Sequence, residues 1–308
     1  MRWLIGLAVA LAALAGAAWY FLLDGAAPTR ADGVFELAAY RALVSDDAQA
    51  TLPTEVRVEV IGENEAPSFA AEAGAFDGAR AFAFPAFDVV GPFGDVVIDA
   101  AVDEATLQEM SGGKGRFDRE AYARLLAVMQ RANDILITHE HLDHVMAVAR
   151  HPAPAQIAPH LRLTAPQLAA LPTYAVDGAL APEIAAVAAA DFATPTRIAP
   201  GIVAHAAPGH SPGSIVIFVR TTSREYLFVG DIAWQMSSIE HLRGRPRLVG
   251  MLVPGVDPNR DAVLRQIRAL HDLAVEEPDV AIVPAHDAAH LESLVSGGAL
   301  RAGFEPSS

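Results

Sequence analysis

The stretch at residues 138–144, THEHLDH, constrains the fold more than any other part of this chain. It follows a short apolar, β-branched run that predicts a buried strand, and functional sites in layered α/β folds commonly lie where such a strand ends. Imidazole nitrogens and carboxylate oxygens are ligands of Zn²⁺, so we interpret the stretch as a metal-binding loop. His139 and His141 are placed to converge on one ion. Asp143 and His144 face a position a few ångströms away, which suits a second ion.

The composition limits both the class of binding partner and the side chains that could bind a metal. The chain has 308 residues, 52% of them apolar, which suffices for one or two domains with a sizeable core. Its formal net charge of −15 argues against nucleic acid as a partner, because a phosphate footprint needs clustered Lys and Arg. It contains no cysteine, which excludes disulfides and thiolate ligands. Any metal must therefore be held by His, Asp and Glu.

The amino terminus carries a segment long enough to cross a membrane. Residues 3–23 are 21 consecutive residues without a charge, whereas the apolar part of a cleaved signal is usually about 7–15 residues long. Aromatic residues at 19–21 are typical of a membrane interface. We predict an uncleaved signal anchor, with a cleaved signal peptide as the alternative because residues 15–17 read Ala-Gly-Ala. Arg2 predicts a cytoplasmic amino terminus, so that the body lies on the periplasmic or extracytoplasmic side, or is secreted to the periplasm after cleavage.

Periodicity and turn residues divide the rest of the chain. Residues 1–24 are predicted to form the anchor or signal peptide, 25–50 a linker and 51–308 one folded domain. The predicted strands are 54–61, 79–90, 95–99, 135–137, 156–157, 202–206, 214–220, 225–229 and 280–283. Helices are predicted at 35–44, at 117–132, from about 145, over much of the Ala-rich stretch 164–190, and at 257–273, where Asp257-Pro258 resembles a helix start.

Two ions need more ligands than one stretch supplies, and three further residues at strand ends are suitable. His210 lies in the loop PGHSPGS, whose prolines and glycines hold it rigidly between two predicted strands. Asp231 follows an apolar strand that ends in Gly230, and its two carboxylate oxygens are able to bridge two ions. His286 follows the last predicted strand. One such residue alone is usually a capping or hydrogen-bonded group, but together with residues 138–144 the three indicate a single site.

These motifs, in this order, resemble the metallo-β-lactamase superfamily, and the resemblance extends over roughly residues 56–290. It implies an α/β fold, a four-layer αββα sandwich with one or two metals at the edge between its sheets, here preceded by an N-terminal hydrophobic helix. It also implies two Zn²⁺ ions, with Fe or Mn as alternatives. By the resemblance, one zinc is bound by His139, His141 and His210, the other by Asp143, His144 and His286, and Asp231 bridges them. In the family small residues commonly follow the Asp-His pair, and we interpret Val145-Met146 at that place as a change in local packing.

Asp231 limits which activities of the superfamily the resemblance implies. True β-lactamases of the superfamily lack the bridging aspartate, whereas the glyoxalase II, lactonase and phosphodiesterase branches have it. Glyoxalase II has a basic carboxy-terminal region, but here only 22 residues follow His286, and Arg301 is their sole Lys or Arg. Residues 51–308 are thus expected to be a zinc-dependent hydrolase domain that cleaves a small ester, lactone or thioester through a hydroxide bridging the metals. Asp143 is the expected catalytic residue, as a ligand that orients the nucleophile or relays a proton. The alternatives are a phosphodiesterase acting on a small phosphodiester and a non-catalytic metal-binding scaffold at the membrane.

Residues around the ligands have predicted roles of their own. Glu140 is expected to point away from the metals, towards solvent or a neighbouring side chain. Asp99 ends a strand and is expected to orient a ligand imidazole. Trp234 is expected either to line the substrate pocket or to lie in the core, and Ser211 and Ser214 are expected to form hydrogen bonds within their loop. The histidines not expected to bind metal are His151, His160, His205, His241, His271 and His290.

Overall fold

Two β-sheets and the helices that cover them make up the domain, and a computed structural model describes residues 2–305. The strands are β1 (Glu55–Pro67), β2 (Ala79–Val90), β3 (Val96–Ile98), β4 (Arg116–Phe117), β5 (Asp134–Leu136), β6 (Leu161–Arg162), β7 (Thr196–Ala199), β8 (Ile202–Ala206), β9 (Ile215–Arg220), β10 (Glu225–Gly230), β11 (Val280–Pro284) and β12 (Arg301–Ala302). The helices are α1 (Arg2–Ala18), α2 (Leu37–Leu43), α3 (Glu104–Met110), α4 (Arg119–Arg131), α5 (Leu142–Ala149), α6 (Pro154–Ile157), α7 (Ala165–Tyr174), α8 (Pro182–Ala185), α9 (Met236–Glu240), α10 (Arg247–Leu252), α11 (Arg260–Glu276) and α12 (Ala288–Ser296). A π-helical turn, Trp19–Leu23, continues α1.

Within residues 2–305 the first sheet has seven strands and the second has five. The first runs in the order β12-β1-β2-β3-β5-β6, and β4 also pairs with β1. Its long β1–β2 pair is antiparallel, whereas β3, β5 and β6 are parallel to one another. The second runs in the order β11-β10-β9-β8-β7 and is antiparallel except between β10 and β11. Because β10 and β11 are parallel neighbours, the loops that follow them lie side by side.

Apolar side chains fill three layers between and outside the sheets. Between the sheets, the rings of Phe87 and Phe228 meet with their centroids 4.8 Å apart. On the outer face of the first sheet, α4 and α5 bury Leu125 and Val145. On the outer face of the second sheet, α11 buries Ile267. The architecture is therefore an α/β sandwich of four layers, αββα, preceded by an amino-terminal apolar helix, which confirms the fold expected from the sequence.

Several local assignments differ from the prediction, among them β1, which was predicted to end at residue 61 and ends at Pro67. The strand predicted at 156–157 is wrong, because these residues end α6, which begins at Pro154, and the strand lies at Leu161–Arg162. Proline at the first helical position has a suitable φ and lacks only an N–H that would be unpaired there. The helix predicted from about residue 145 begins at Leu142. The second half of the 138–144 stretch therefore lies in the first turn of α5.

The amino-terminal segment is a helix that projects from the domain, and the chain packs against the domain directly after it. Arg2–Leu23 is 22 residues long, apolar enough to cross a membrane, and not buried against the rest of the protein. The residues that follow are packed against the domain. The Asp24 carboxylate accepts a hydrogen bond from the Arg247 guanidinium at 2.8 Å. In the predicted linker, 25–50, α2 buries Tyr40.

Candidate metal centre

The seven side chains predicted as ligands come together at one edge of the sandwich. They follow β5, β8, β10 and β11, so four separate parts of the chain meet there. Their ligand atoms form two groups, and within each group the atoms lie within 4.8 Å of one another. The first group is His139, His141, His210 and Asp231, and the second is Asp143, His144 and His286. The structure thus shows convergence of these residues, and their role as ligands stays a prediction.

In the first group, three imidazole nitrogens face one another. His141 Nδ1 lies 3.0 Å from His139 Nε2 and 2.9 Å from His210 Nε2. Asp231 Oδ2 lies 3.3 Å from His210 Nε2 and 3.6 Å from His139 Nε2. His139 and His210 are buried, whereas His141 is half-buried. Four ligand atoms surround one point, which is the number that a tetrahedral zinc site requires.

In the second group, His286 Nε2 lies 3.4 Å from His144 Nε2 and 3.4 Å from Asp143 Oδ2. The other oxygen of Asp231, Oδ1, lies 3.0 Å from His286 Nε2 and 3.3 Å from His144 Nε2. Each oxygen of the Asp231 carboxylate therefore faces a different group, as a bridging ligand requires.

A buried oxygen without a hydrogen-bond donor indicates that the second group suits a cation. Asp231 Oδ1 is buried and accepts no hydrogen bond from any residue between 2 and 305, and burying such an oxygen is costly unless a cation or donor compensates it. The two imidazole rings beside this oxygen form hydrogen bonds through Nδ1, the ring nitrogen that does not face Asp231. His144 Nδ1 donates to Asp99 at 2.9 Å, and His286 Nδ1 donates to the Ala83 carbonyl oxygen at 2.7 Å. A neutral imidazole that donates through Nδ1 presents a lone pair at Nε2, so lone pairs and carboxylate oxygens converge where a divalent cation fits.

His210 is held in the same way by a buried network that the sequence did not reveal. Its Nδ1 donates to Asp257 Oδ1 at 2.9 Å, and Arg245 Nε donates to Asp257 Oδ2 at 2.9 Å. Burial raises the pKa of Asp257, but the Arg245 guanidinium and the hydrogen bond from His210 outweigh it and lower the pKa to about 2. The helix start predicted at Asp257-Pro258 is wrong, because Asp257 has φ 53° and α11 begins at Arg260, with Asn259 as its capping residue.

Carboxylates and imidazoles in the site shift one another's pKa values. Burial raises the pKa of Asp231, but the imidazoles of His286 and His139 outweigh it and hold the pKa well below its ordinary value. Burial lowers the pKa of His144, but Asp99 and Asp231 outweigh it and hold the pKa well above its ordinary value. Two buried carboxylates thus attract positive charge to the second group, and a divalent cation would supply that charge.

The turn from β5 into the ligand loop is fixed by Asp99. Besides the bond from His144, Asp99 accepts hydrogen bonds from Thr138 N at 2.7 Å and Thr138 Oγ1 at 2.9 Å, which confirms its expected role in orienting an imidazole. Its φ is 62°, a left-handed conformation that is costly for a non-glycine residue unless the surroundings maintain it. Gly230 also has a positive φ, 50°, and a Cβ there would lie 2.8 Å from Thr138 Cβ. Glycine therefore lets β10 approach this turn closely just before Asp231.

Glu140 lies between two ligands in the sequence but faces a different loop. Its carboxylate accepts hydrogen bonds from Ser211 Oγ at 2.7 Å and from Gly213 N at 3.0 Å, and it is buried. Of the two expectations for Glu140, contact with a neighbouring side chain is confirmed and exposure to solvent is wrong. Ser211 and Ser214 hydrogen-bond each other at 2.9 Å, as expected. Glu140 thereby holds the loop that presents His210.

Trp234 and Asp143 are partly exposed residues at this site. Trp234 is half-buried, its Nε1 donates to Asp231 Oδ2 at 2.6 Å, and its ring meets the His286 ring edge-on at 6.2 Å. Trp234 thus contacts two of the seven side chains, and its expected role in lining a substrate pocket stays a prediction. The Asp143 side chain is 14% exposed and that of Asp231 only 3%. Within residues 2–305, none of the six histidines expected not to bind metal belongs to either group.

Solved structures share the fold at low sequence identity. An N-acyl homoserine lactone hydrolase, with the product N-hexanoyl-L-homoserine bound at its catalytic metal centre, is 14% identical, with a TM-score of 0.57 over 79% of this chain and 96% of that one. A probable metal-dependent hydrolase from Staphylococcus aureus is 14% identical, with a TM-score of 0.58 over 76% of this chain and 90% of that one. A dizinc quorum-quenching lactonase is 13% identical, with a TM-score of 0.53 over 78% of this chain and 92% of that one.

The sequence itself matches one family. No curated protein matches the chain. The family model described as the metallo-beta-lactamase superfamily matches residues 89–286, which is more than half of the chain and includes all seven residues of the two groups. With the four-layer fold and the clustered His and Asp side chains, this match shows that the chain belongs to the metallo-β-lactamase superfamily of metal-dependent hydrolases.

Proposed function

We propose that the protein is a dinuclear metal-dependent hydrolase that cleaves a small ester, lactone or thioester. The observation that carries the proposal is the Asp231 carboxylate, which faces one group of imidazoles with each of its two oxygens. Zinc suits the imidazole and carboxylate donors, and iron and manganese accept the same donors. When bound, two such ions would lower the pKa of a water molecule to about 7 and would polarise the carbonyl oxygen of the substrate.

The protein's own residues set the geometry for this chemistry. Asp99 and Asp257 each accept a hydrogen bond from an imidazole Nδ1, which fixes the ligand rings from behind. Trp234 donates to Asp231 and holds its carboxylate so that the oxygens face different groups. We assign proton transfer between the attacking water and the leaving oxygen to Asp143, because it is the more accessible of the two carboxylates, at 14% against 3% exposure.

Two of the similar structures support carbonyl chemistry. They are named as an N-acyl homoserine lactone hydrolase and a dizinc quorum-quenching lactonase. A lactone is an internal ester, so one mode of attack on the carbonyl serves lactones and open esters alike. The net charge of −15 also suits a small-molecule substrate better than a nucleic acid.

We place the domain at a membrane, on the periplasmic or extracytoplasmic side, with α1 as an uncleaved anchor. Support comes from the apolar, unburied length of Arg2–Leu23 and from the positive charge of Arg2 on its short amino-terminal side. Cleavage and secretion to the periplasm is the alternative. Membrane fractionation with a carbonate wash and amino-terminal sequencing of the mature protein distinguish the two.

The activity is tested with the full chain in detergent micelles and excess zinc. Hydrolysis of p-nitrophenyl acetate, a γ-lactone, a thioester and bis-p-nitrophenyl phosphate is measured side by side. We expect turnover of at least one of the first three, abolished by a chelator, restored by zinc and absent in Asp231→Ala. A preference for the phosphodiester would identify a phosphodiesterase instead. No turnover of any compound at full metal content would favour a non-catalytic scaffold and overturn the proposal.

A further inference from the structure

Three consecutive apolar side chains beside the candidate metal centre face outwards. Met251, Leu252 and Val253 are 64%, 70% and 46% exposed. Among residues 2–305, no other run of consecutive large apolar residues is exposed outside the amino-terminal helix. An exposed run of this kind is unfavourable in water unless it serves an interaction.

The run belongs to α10 and the residue after it, and α10 lies along the end of the amino-terminal helix. At the start of α10, Arg247 pairs with Asp24 at 2.8 Å, and its guanidinium lies 4.5 Å from the centroid of the Tyr20 ring. One helical turn further on, Met251 lines an apolar groove together with Leu14. α10 therefore runs antiparallel to α1, from the level of Tyr20 towards the level of Leu14.

These contacts set the depth of α10 relative to a membrane that α1 crosses. Trp19 and Tyr20 are 56% and 45% exposed, and aromatic side chains at this end of a span mark the interface. An α-helix rises 1.5 Å per residue, so Leu14 lies about 9 Å deeper than Tyr20. Interfacial helices bury their apolar face about 5–10 Å into the boundary of headgroups and acyl chains. Four residues of helix carry α10 about 6 Å from Arg247 to Met251, so Met251 lies within this range of depths while Arg247 remains at the level of the headgroups.

Close packing and a hydrogen bond join the helix to the domain. Gly25 packs so closely against Ala73 and the carbonyl of Gly244 that a Cβ at this position would overlap both. Gly74 N donates to the Leu22 carbonyl oxygen at 3.0 Å. These contacts hold the end of the helix against the domain, and α10 lies beside it.

The same segment leads straight to the candidate metal centre. A Cβ on Gly255 would lie 3.5 Å from His141 Nε2, on the half-buried side of the first group. Gly255 is three residues after Leu252, and an extended chain spans at most about 3.6 Å per residue. The exposed run thus lies within roughly 11 Å of the backbone that contacts the site.

We propose that Met251, Leu252 and Val253 form a second membrane-contact surface, which holds the His141 side of the candidate metal centre near the bilayer surface. The partner is lipid, because the run continues the apolar surface of α1 at a matching depth and contains no charged side chain. The inference rests on the anchoring by α1 that is part of the proposed function, and it does not depend on hydrolysis.

Because the chain has no cysteine, single-cysteine variants of the full protein carry one spin label each. Leu252→Cys is the test position. Leu11→Cys lies within the membrane helix, and Val275→Cys is a matched control near the far end of α11, where the native side chain is 68% exposed. In phosphatidylcholine–phosphatidylglycerol vesicles, accessibility to dissolved oxygen and to a water-soluble nickel chelate reports the depth of each label.

We expect the label at 252 to resemble the one at 11, with a nickel accessibility several-fold below that of the label at 275. A label at 252 as open to nickel as the one at 275 would overturn the proposal. Low accessibility to both reagents would overturn it as well, because it would indicate a protein partner or a second copy. A label at 11 that is open to nickel would overturn the anchor together with the proposal, and none of these outcomes bears on hydrolysis.

Discussion

At the Asp231 carboxylate, the two oxygens face different groups of imidazoles, and the proposed two-ion site depends on this one side chain. Asp231→Ala should weaken metal binding in both groups and reduce turnover by more than the ~100-fold that loss of a residue behind a ligand can cost. Asp231→Cys should keep at most one tight site, because a thiolate is softer and lacks a second oxygen. Metal content after dialysis, measured by mass spectrometry, checks both variants once circular dichroism has shown that they fold. Two tightly held ions in Asp231→Ala would contradict the bridge.

The carboxylates behind the ligands allow the two groups to be perturbed separately. Asp99 orients His144 in the second group, and Asp257 orients His210 in the first. Asn tolerates left-handed backbone, so Asp99→Asn, at φ 62°, and Asp257→Asn, at φ 53°, remove charge without forcing the backbone to change. We expect each variant to weaken one of two metal-binding steps by about 10–100-fold, as seen by competition with a chelator. Equal weakening of both steps by either variant would contradict two distinct groups.

Which side chains converge at the candidate site was largely predictable from the sequence. His, Asp and Glu have few reasons to follow four strands in this pattern, and Asp99 was recognisable as the polar end of an apolar strand. The pair formed by Asp257 and Arg245 was not predictable. Asp-Pro reads locally as a helix start, and only the fold brings Asp257 to His210, 47 positions away in the sequence.

At the scale of elements, the loop that carries His210 depends on a buried side chain of another loop. Glu140→Ala removes the acceptor for Ser211 Oγ and Gly213 N, and unsatisfied buried donors cost about 1–3 kcal/mol. We expect lower stability against denaturant and weaker binding in the first group, although Glu140 contacts no ligand atom. Glu140→Gln, which keeps an acceptor oxygen, should recover part of both. A wild-type denaturation midpoint in Glu140→Ala would show that the loop is held by other contacts.

The strand β2 contains a buried acid that should make stability depend on pH. Both Asp88 oxygens are buried without a hydrogen-bond partner among residues 2–305, and burial, followed by repulsion from Asp95, raises the Asp88 pKa to about 7. The folded state therefore binds this proton more tightly than the unfolded state, so the contribution is fully present below pH ~4 and is lost as pH rises through 7. From pH 5 to 8 the loss is roughly 3 kcal/mol.

Asp88→Asn cannot ionise and should lack this component. We expect the variant to gain stability relative to the wild type as the pH rises from 5 to 8, measured by denaturant unfolding in detergent at both values. Comparing the two proteins at each pH cancels the contribution of ligands that also titrate. A difference between variant and wild type that does not change with pH would show that Asp88 is ionised in the folded state throughout this range.

Element boundaries were predictable where periodicity was long and failed where elements were short. The long strand β2 and the helix α4 show clear patterns and lie close to the predicted ranges, whereas β1 continues six residues past its predicted end at residue 61. The apolar pair at 156–157 has no period of its own, and Pro154 makes it the end of a short helix. The early start of α5 follows from the tertiary position of Asp99, which the local sequence does not carry.

At the scale of the whole molecule, the amino-terminal apolar helix, α10 and the candidate metal centre follow one another in space, and under the proposed anchoring they lead from the bilayer to the site. The sequence predicted the anchor helix and the ligands as separate features. The helix and the site lie near each other because of the packing of Gly25 and the ion pair between Asp24 and Arg247. Both contacts join residues more than 40 positions apart. The site should therefore act on compounds dissolved in the membrane surface.

This geometry predicts a dependence on acyl-chain length when the protein is in vesicles. Each buried methylene contributes about 0.8 kcal/mol, so four added methylenes raise the membrane concentration of a p-nitrophenyl ester by roughly 200-fold. Because the leaving group is unchanged, we expect kcat/KM to rise with chain length through this partitioning. Leu252→Ser should reduce the advantage of the longer esters, and Val275→Ser, at an equally exposed position, should leave it intact. An unchanged chain-length profile in Leu252→Ser would show that substrate reaches the site from water instead.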